Sequence, residues 1–342
     1  MEQLICFFIA LILSLSLTPL AKLLARRINV LDHPNHRKIH DKPIPLMGGM
    51  AIFLSSSLSL LFFAPKTPEL LWILFFGLIF ILFGFLDDAG IKIRARIKIW
   101  SHLVFALLFV HLTGIGVFLF PWWWFNLILS ACFITFMTNS FNMLDGMDGL
   151  VSGVAFFAGL SFFVLGLSNN LSDVAILSIA LAGACLGFLK YNFNPASIFL
   201  GEEGSTFIGF ILATIAMKLK IFSLWNIALV LNIPRLQFVS FIVPLIILGI
   251  PIFDTFFVFS NRLLHNLKMS TPGKDHSHHR IHLMGLSQKM TVLTLYAVQI
   301  VLGAIALSMV TASLVQFFSL IIIVITLAVF ACVFLLRVKV YT

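Results

Sequence analysis

Charge is what this sequence has least of. Only 10% of its 342 residues are Asp, Glu, Lys or Arg, against about 25% in an ordinary soluble domain, while 61% are hydrophobic. Too little polar surface is left to cover a water-soluble globule, so that class is excluded. Cysteine is also sparse: Cys6, Cys132, Cys185 and Cys332 all lie inside apolar runs, with no C-x-x-C spacing. This excludes a disulfide or cysteine–zinc framework and leaves four buried packing residues. No basic stretch precedes the first apolar run, which follows Glu2, and no small-residue cleavage site ends it; it reads as a retained helix, not a signal peptide. The alternating segments of a transmembrane barrel are missing. Internal repeats and low-complexity linkers are missing too, so residues 1–342 read as one polytopic domain.

What is present is a series of apolar runs close to the roughly 20 residues that span a bilayer. Eleven qualify: 4–25, 47–64, 70–86, 99–118, 122–141, 150–167, 174–189, 206–222, 238–259, 291–312 and 315–336. The expected fold is an all-α integral membrane protein with eleven transmembrane helices. With the N-terminus outside and the C-terminus inside, only Lys66, Lys218, Lys220 and Arg235 of the basic residues fall outside, which is the asymmetry of the positive-inside rule. The net charge of +9 then belongs to the cytoplasmic face and suits an anionic lipid or substrate. The basic residues sit in short loops between spans, so no nucleic-acid partner is expected.

The same face carries nearly every group able to do chemistry. Asp87 and Asp88 close the run at 70–86. Two acids at a helix C-terminus oppose the macrodipole and call for a cation. In "NSFNMLDGMDGL" (139–150) Asn139, Asn142, Asp145 and Asp148 step by three, each turned about 60° from the last, so they cannot share a helix face. Gly146 and Gly149 predict that the helix ends near Asp145 and lets Asp148 turn back toward the two Asn residues. "GEEGS" adds Glu202 and Glu203 between glycines. Mg²⁺ prefers such hard oxygen ligands together with substrate phosphates, with Mn²⁺ an acceptable substitute. Arg37, Lys38, Lys42, Arg94, Arg96 and Arg280 then read as phosphate partners. His276, His278 and His279 in "DHSHHR" suit phosphate or sugar contact better than zinc, since nothing nearby completes a tetrahedron.

Five segments occur in a telling order: "DHPNHRKIHDKPIPLMGG" (32–49), "FLDD" (85–88), "NSFNMLDGMDGL" (139–150), "NFNPASIFLGEEGS" (192–205) and "KDHSHHRIHLMGLS" (274–287). With them the chain resembles the polyprenyl-phosphate N-acetylhexosamine-1-phosphate transferases of glycosyltransferase family 4, the group that contains the phospho-MurNAc-pentapeptide translocase and the UDP-GlcNAc:undecaprenyl-phosphate transferases. The resemblance implies Mg²⁺-dependent attack of a polyprenyl phosphate on the sugar-linked phosphate of a UDP-sugar, releasing UMP, at the cytoplasmic face of a bacterial plasma membrane. It implies catalytic roles for Asp87, Asp88 and Asp145, with Asp87 as proton acceptor, and metal ligation by Asp88, Asp145 and Glu202. Lys38, His40, Lys42, Asn139, Asn142, Asp148, His276, His278, His279 and Arg280 match substrate-binding positions. A homodimer is left open, as is the choice between direct attack and an aspartyl-phosphate, with direct attack preferred.

Two features depart from the family pattern. Glu202 stands where an Asp is usual, and Trp100 falls where a Gln is common. The basic loop also lacks the three-His-Phe-Glu form of the MurNAc-pentapeptide enzymes, which favours a UDP-HexNAc such as UDP-GlcNAc and surface-glycan initiation. Four other readings compete: MurNAc-pentapeptide transfer, a CDP-alcohol phosphotransferase, a transporter and, because of Glu202, an inactive family member. The second needs an Ala-Arg after the "DG", which "DGMDGLVSG" lacks; the third would place acids in mid-span.

Overall fold

The computed structural model describes residues 1–34, 42–268, 273–338 and 340. Helices α1 (Glu2–Arg27), α2 (Gly48–Phe63), α3 (Pro68–Asp88), α4 (Ala95–Thr113), α5 (Trp123–Leu144), α6 (Leu150–Ser168), α7 (Ser172–Asn192) and α8 (Gly201–Lys218) are followed by α9 (Trp225–Val230), α10 (Gln237–Ser240), α11 (Ile242–Ile247), α12 (Gly249–Leu264), α13 (Ser277–Leu283), α14 (Gln288–Met309) and α15 (Leu314–Leu336). One short antiparallel pair, β1 (Leu31–Asp32) with β2 (Ile44–Pro45), joins α1 to α2. The chain is thus nearly all-α.

The expected count of eleven spans is not reproduced by length and composition. Among the described residues eight helices are long and apolar enough to cross a membrane, or ten if two bent pairs each count as one. One pair is Gly201–Lys218 with Phe222–Val230, bent by 51° where Lys218 and Lys220 interrupt the apolar run; the other is Gln237–Ile247 with Gly249–Leu264, bent by 82°. At the second bend Pro251 has no amide hydrogen to give Ile247, and Gly249 offers no side chain to stiffen the turn. The remaining run, 47–64, forms α2, which is 16 residues long, about 24 Å at the α-helical rise.

Helix α8 is the centre of the bundle. Every residue from Glu203 to Met217 is buried, as befits a helix apolar on all sides, and α3 and α5 flank it. At the other extreme only Phe317 and Leu335 of α15 are buried. Cys6 and Cys185 are buried, but Cys132 is exposed and Cys332 half-exposed, because these two lie on outward faces of α5 and α15. The reading of four buried cysteines is corrected to two.

Two contacts fasten α3 to α8. At one end Lys218 Nζ pairs with Glu69 of α3 and, at 2.7 Å, with Asp173 at the start of α7. At the other, the chains approach so closely that a Cβ on Gly84 would lie 2.4 Å from Glu203 Cα. Gly84→Val should therefore force the helices apart and cost about 1–3 kcal/mol. A fall in the detergent melting temperature, with weaker activity, is the expected result; an unchanged melting curve would mean that the close approach is not needed.

Candidate active site

The inner ends of α3, α5 and α8 converge on a cleft of about 690 Å³. The Gly84 crossing places the end of α3 against the start of α8, where Asp88 Oδ2 accepts the Glu203 amide at 3.1 Å and also faces the Glu202 amide. Asp88 thus sits on the positive end of the α8 dipole. Gly201, at φ 78°, turns the chain into the helix, and a Cβ there would lie 2.6 Å from Asp88 Oδ2. Ahead of it, the Phe199 amide bonds the Pro45 carbonyl at 2.8 Å and the Gly49 amide bonds Leu200 at 2.9 Å, so the β-pair is stitched across the cleft mouth and Asp32 joins the lining.

Helix α5 ends at Leu144 and Asp145 leaves the helical path at ψ 62°, as the glycines foretold. Asn142, Asp145 and Asp148 line the cleft with Asp88 and Glu202, and Asn142 Oδ1 accepts Ser205 Oγ of α8 at 3.0 Å. Asp148 does not turn back toward the Asn residues. Its Oδ2 accepts Asn194 Nδ2 at 2.9 Å and the Ala196 amide at 3.0 Å, and Asn194 also donates to Gln288 Oε1. The turn carries it past the end of α5 toward the loop before α8, where unmet amide donors wait. Asn139, unlike Asp148, is outside the cleft lining: one turn up α5, it donates to the Thr135 carbonyl at 2.7 Å and meets His102 Nδ1 at 3.3 Å.

Lys98 is the residue sequence reasoning missed. Its Nζ lies 2.8 Å from Asp87 Oδ2 and also contacts Glu202 Oε2. Asp87 Oδ1 takes the Ile93 amide at 2.9 Å, so both Asp87 oxygens are engaged and it is absent from the cleft lining. The signal was legible: "ARIK" places Lys98 one helical turn before His102, which is buried, whereas Trp100 is 66% exposed. Trp100 thus faces outward. Arg94 and Arg96 are exposed.

Glu203 Oε1 accepts the Met50 amide at 2.9 Å, at the start of α2. Glu203 Oε2 and Glu202 Oε1 are both buried with no hydrogen-bond partner, and none of the described residues donates to the Asp145 carboxylate. Burial, aided by the neighbouring charges of Asp88 and Asp148, pushes the Asp145 carboxyl up to about 8. An orphaned carboxylate oxygen beside acids that repel one another is a donor set of oxygens only, which fits a hard divalent cation.

Further lining comes from α13 and the residues before it: Lys274, His279 and His282. His276 and His278 stand behind them, buried. Burial, with the charge of His276 beside it, pulls His279 down to about 4, and burial pulls His278 well below the usual range, so both are neutral before an anion arrives. Arg280 does not face the cleft. Its Nη1 donates to the Leu335 carbonyl at 3.1 Å and the Val338 carbonyl at 2.6 Å, and its guanidinium lies over the Phe257 ring. It closes the C-terminal end of α15, whose free carbonyls need donors. Lys42 is exposed ahead of β2; Lys38 and His40, with His36 and Arg37, lie outside the described residues.

The sequence model for "Glycosyl transferase family 4" matches residues 70–220, the stretch that carries Asp88, Asp145 and Glu202. A probable undecaprenyl-phosphate N-acetylglucosaminyl 1-phosphate transferase of Bacillus subtilis is 33% identical over 91% of this chain and 86% of its own length. The chain belongs to glycosyl transferase family 4. Two further members are also similar over most of their length. A decaprenyl-phosphate N-acetylglucosaminephosphotransferase of Mycobacterium leprae is 26% identical over 82% of this chain and 76% of its own. A phospho-N-acetylmuramoyl-pentapeptide-transferase of Bacillus subtilis is 29% identical over 90% and 98%.

Proposed function

We propose that the protein transfers N-acetylglucosamine 1-phosphate, or that of a closely related HexNAc, from a UDP-sugar to a polyprenyl phosphate in the bacterial plasma membrane. What carries the reading is one juxtaposition: Asp88, Asp145 and Glu202 line one cleft together with Lys274, His279 and His282. Such a cleft suits a diphosphate that must be held and neutralised at once. The family relatives named for polyprenyl-phosphate sugar transfer support the acceptor and the sugar. The greater identity to the GlcNAc relative than to the MurNAc-pentapeptide one favours the simpler donor.

In this reading a lipid phosphate oxygen forms a bond to the sugar-bearing phosphorus. The bond from that phosphorus to the bridging oxygen breaks, and UMP leaves with the electron pair. A phosphate monoester has a second pKa of about 6, so the acceptor is already largely dianionic at neutral pH and needs little help from a base. Lys98 keeps Asp87 and Glu202 fixed, Asp88 stays on the α8 amides, and Lys274, His279 and His282 meet the donor. Asp88, Asp145 and Glu202 would hold Mg²⁺, with Mn²⁺ as substitute, which supplies charge neutralisation at the diphosphate. The topology that fits has eleven spans, counting α2 and both bent pairs, with the N-terminus outside and the cleft at the cytoplasmic face.

Two measurements test this. Purified protein in detergent, given undecaprenyl phosphate, Mg²⁺ and UDP-GlcNAc, should release UMP only when all three are present; silence with UDP-GlcNAc and with other UDP-HexNAc donors, from folded protein, would sink the proposal. Mg²⁺ alone should raise the melting temperature more at pH 8 than at pH 6. A proton occupies Asp145 below its raised pKa and competes with the cation, so metal binding gains as pH rises. An equal shift at both pH values would remove Asp145 from the ligand set.

A further inference from the structure

Helix α12 carries a single acid, Asp254, in the middle of "GIPIFDTFFVF", and it is 0% exposed. A carboxylate placed in so apolar a stretch is expensive unless donors surround it. Three do, and all belong to the two residues that open α13: His276 Nδ1 reaches Oδ2 at 2.7 Å, while the Ser277 amide and hydroxyl reach Oδ1 at 2.7 and 2.6 Å. Two turns further along α12, Arg262 grips Asp275 with Nε at 2.7 Å and Nη2 at 2.9 Å. Residues 275–277 are thus held to α12 by two buried ionic contacts.

What this anchorage positions is the histidine row. The His276 ring lies 5.4 Å from that of His278, which lies 4.3 Å from that of His279. His278 is 0% exposed with neither ring nitrogen hydrogen-bonded. It presses on the turn after Asp145: a Cβ on Gly146 would lie 2.4 Å from His278 Nε2. His279, next along, lines the cleft with Asp145. An unpaired buried imidazole is not held there by its own hydrogen bonds, so the seat of α13 has to come from elsewhere.

We propose that Asp254 is a positioning residue for donor binding: by holding His276 and Ser277 it seats α13 so that His278 abuts Gly146 and His279 meets the diphosphate of the nucleotide sugar. The Nδ1 contact also fixes the tautomer of His276, as carboxylate–histidine pairs do. The proposal rests on the transferase reading. Asp254 reaches the substrate only through the loop, so its loss should act on the donor and spare the lipid.

The test is Asp254→Asn, which keeps the shape but cannot serve all three donors as a carboxylate does. The KM for UDP-GlcNAc should rise about tenfold, since small displacements of a positioning group carry large kinetic cost, with the KM for undecaprenyl phosphate unchanged. In a His279→Ala background the same substitution should add little, because both act at one point. Equal changes in both KM values, or effects that multiply in the double variant, would reduce Asp254 to a general stability role and overturn the proposal. A second readout needs no turnover. Diethyl pyrocarbonate with mass spectrometry should leave His278 unmodified in the wild type and modify it in Asp254→Asn; protection in both would also overturn it. Wild-type protein that releases no UMP would sink the transferase reading, while the modification experiment would still report on the seat of α13.

Discussion

Asp145→Asn should abolish UMP release, by about 10³-fold or more as expected for loss of a group that stabilises charge in phosphoryl transfer, and it should do so without weakening the fold. The structure gives a reason for the second half. Asp145 is surrounded by apolar burial and by the charges of Asp88 and Asp148, and no described side chain compensates it. Its folded pKa, about 8, stands above the usual value of about 3.9. The folded chain therefore binds a proton more tightly than the unfolded one, and wild-type stability declines as pH rises from the unfolded pKa through the folded one. Asparagine removes that decline. In Mg²⁺-free detergent the margin by which the variant melts above wild type should be small near pH 5 and widen as pH rises to 8. Retained turnover would sink the site; a variant that melts lower at both pH values would instead make Asp145 a structural residue.

Lys98→Met should lose both activity and stability. Among the described residues Lys98 is the one cation that Asp87 and Glu202 share. Removing one partner of a partly buried ionic group leaves the others uncompensated, at a cost of about 3 kcal/mol; some relief is expected because the Asp87 side chain keeps 24% of its exposure. Activity should fall about 10²-fold as the acids shift. The decisive comparison is the double variant Lys98→Met with Glu202→Gln, which should recover much of the melting temperature and none of the turnover. If Glu202→Gln alone is as active as wild type, Glu202 is only a partner for Lys98 and the cation is held by Asp88 and Asp145. Glu202→Asp tests the same contact by length: the shorter chain draws back from Lys98, so the variant should keep its charge and lose stability.

Much of this site could be read in the sequence because its parts are local. Asp88 follows an apolar run, and glycines flank both Asp145 and Glu202, so the ends of three helices were marked by residue type alone. What could not be read depended on which helix lies beside which. Arg280 looks like a phosphate ligand until the end of α15, more than fifty residues later, supplies the carbonyls it meets. Asn139 looks like part of the cleft until His102 of α4 is placed against it. Asp148 shares a motif with Asp145 yet bonds the chain before α8. Asp254 gave no signal at all, being one acid in an apolar run, and only its contact with His276 gives it meaning. The bend within the run at 238–259 was hidden for a similar reason: hydropathy records that α11 and α12 are apolar, not that the chain bends sharply between them.

The double fastening of α3 to α8 has a consequence for how the enzyme could open. Lys218 grips Glu69 at one end and Gly84 seats against Glu203 at the other, so these two helices form a stiff beam with Asp88 and Glu202 fixed along one edge. A beam pinned at both ends cannot hinge in its middle. Asp88 and Glu202 therefore keep their spacing whatever the rest of the bundle does, and the acids form the anvil of this site.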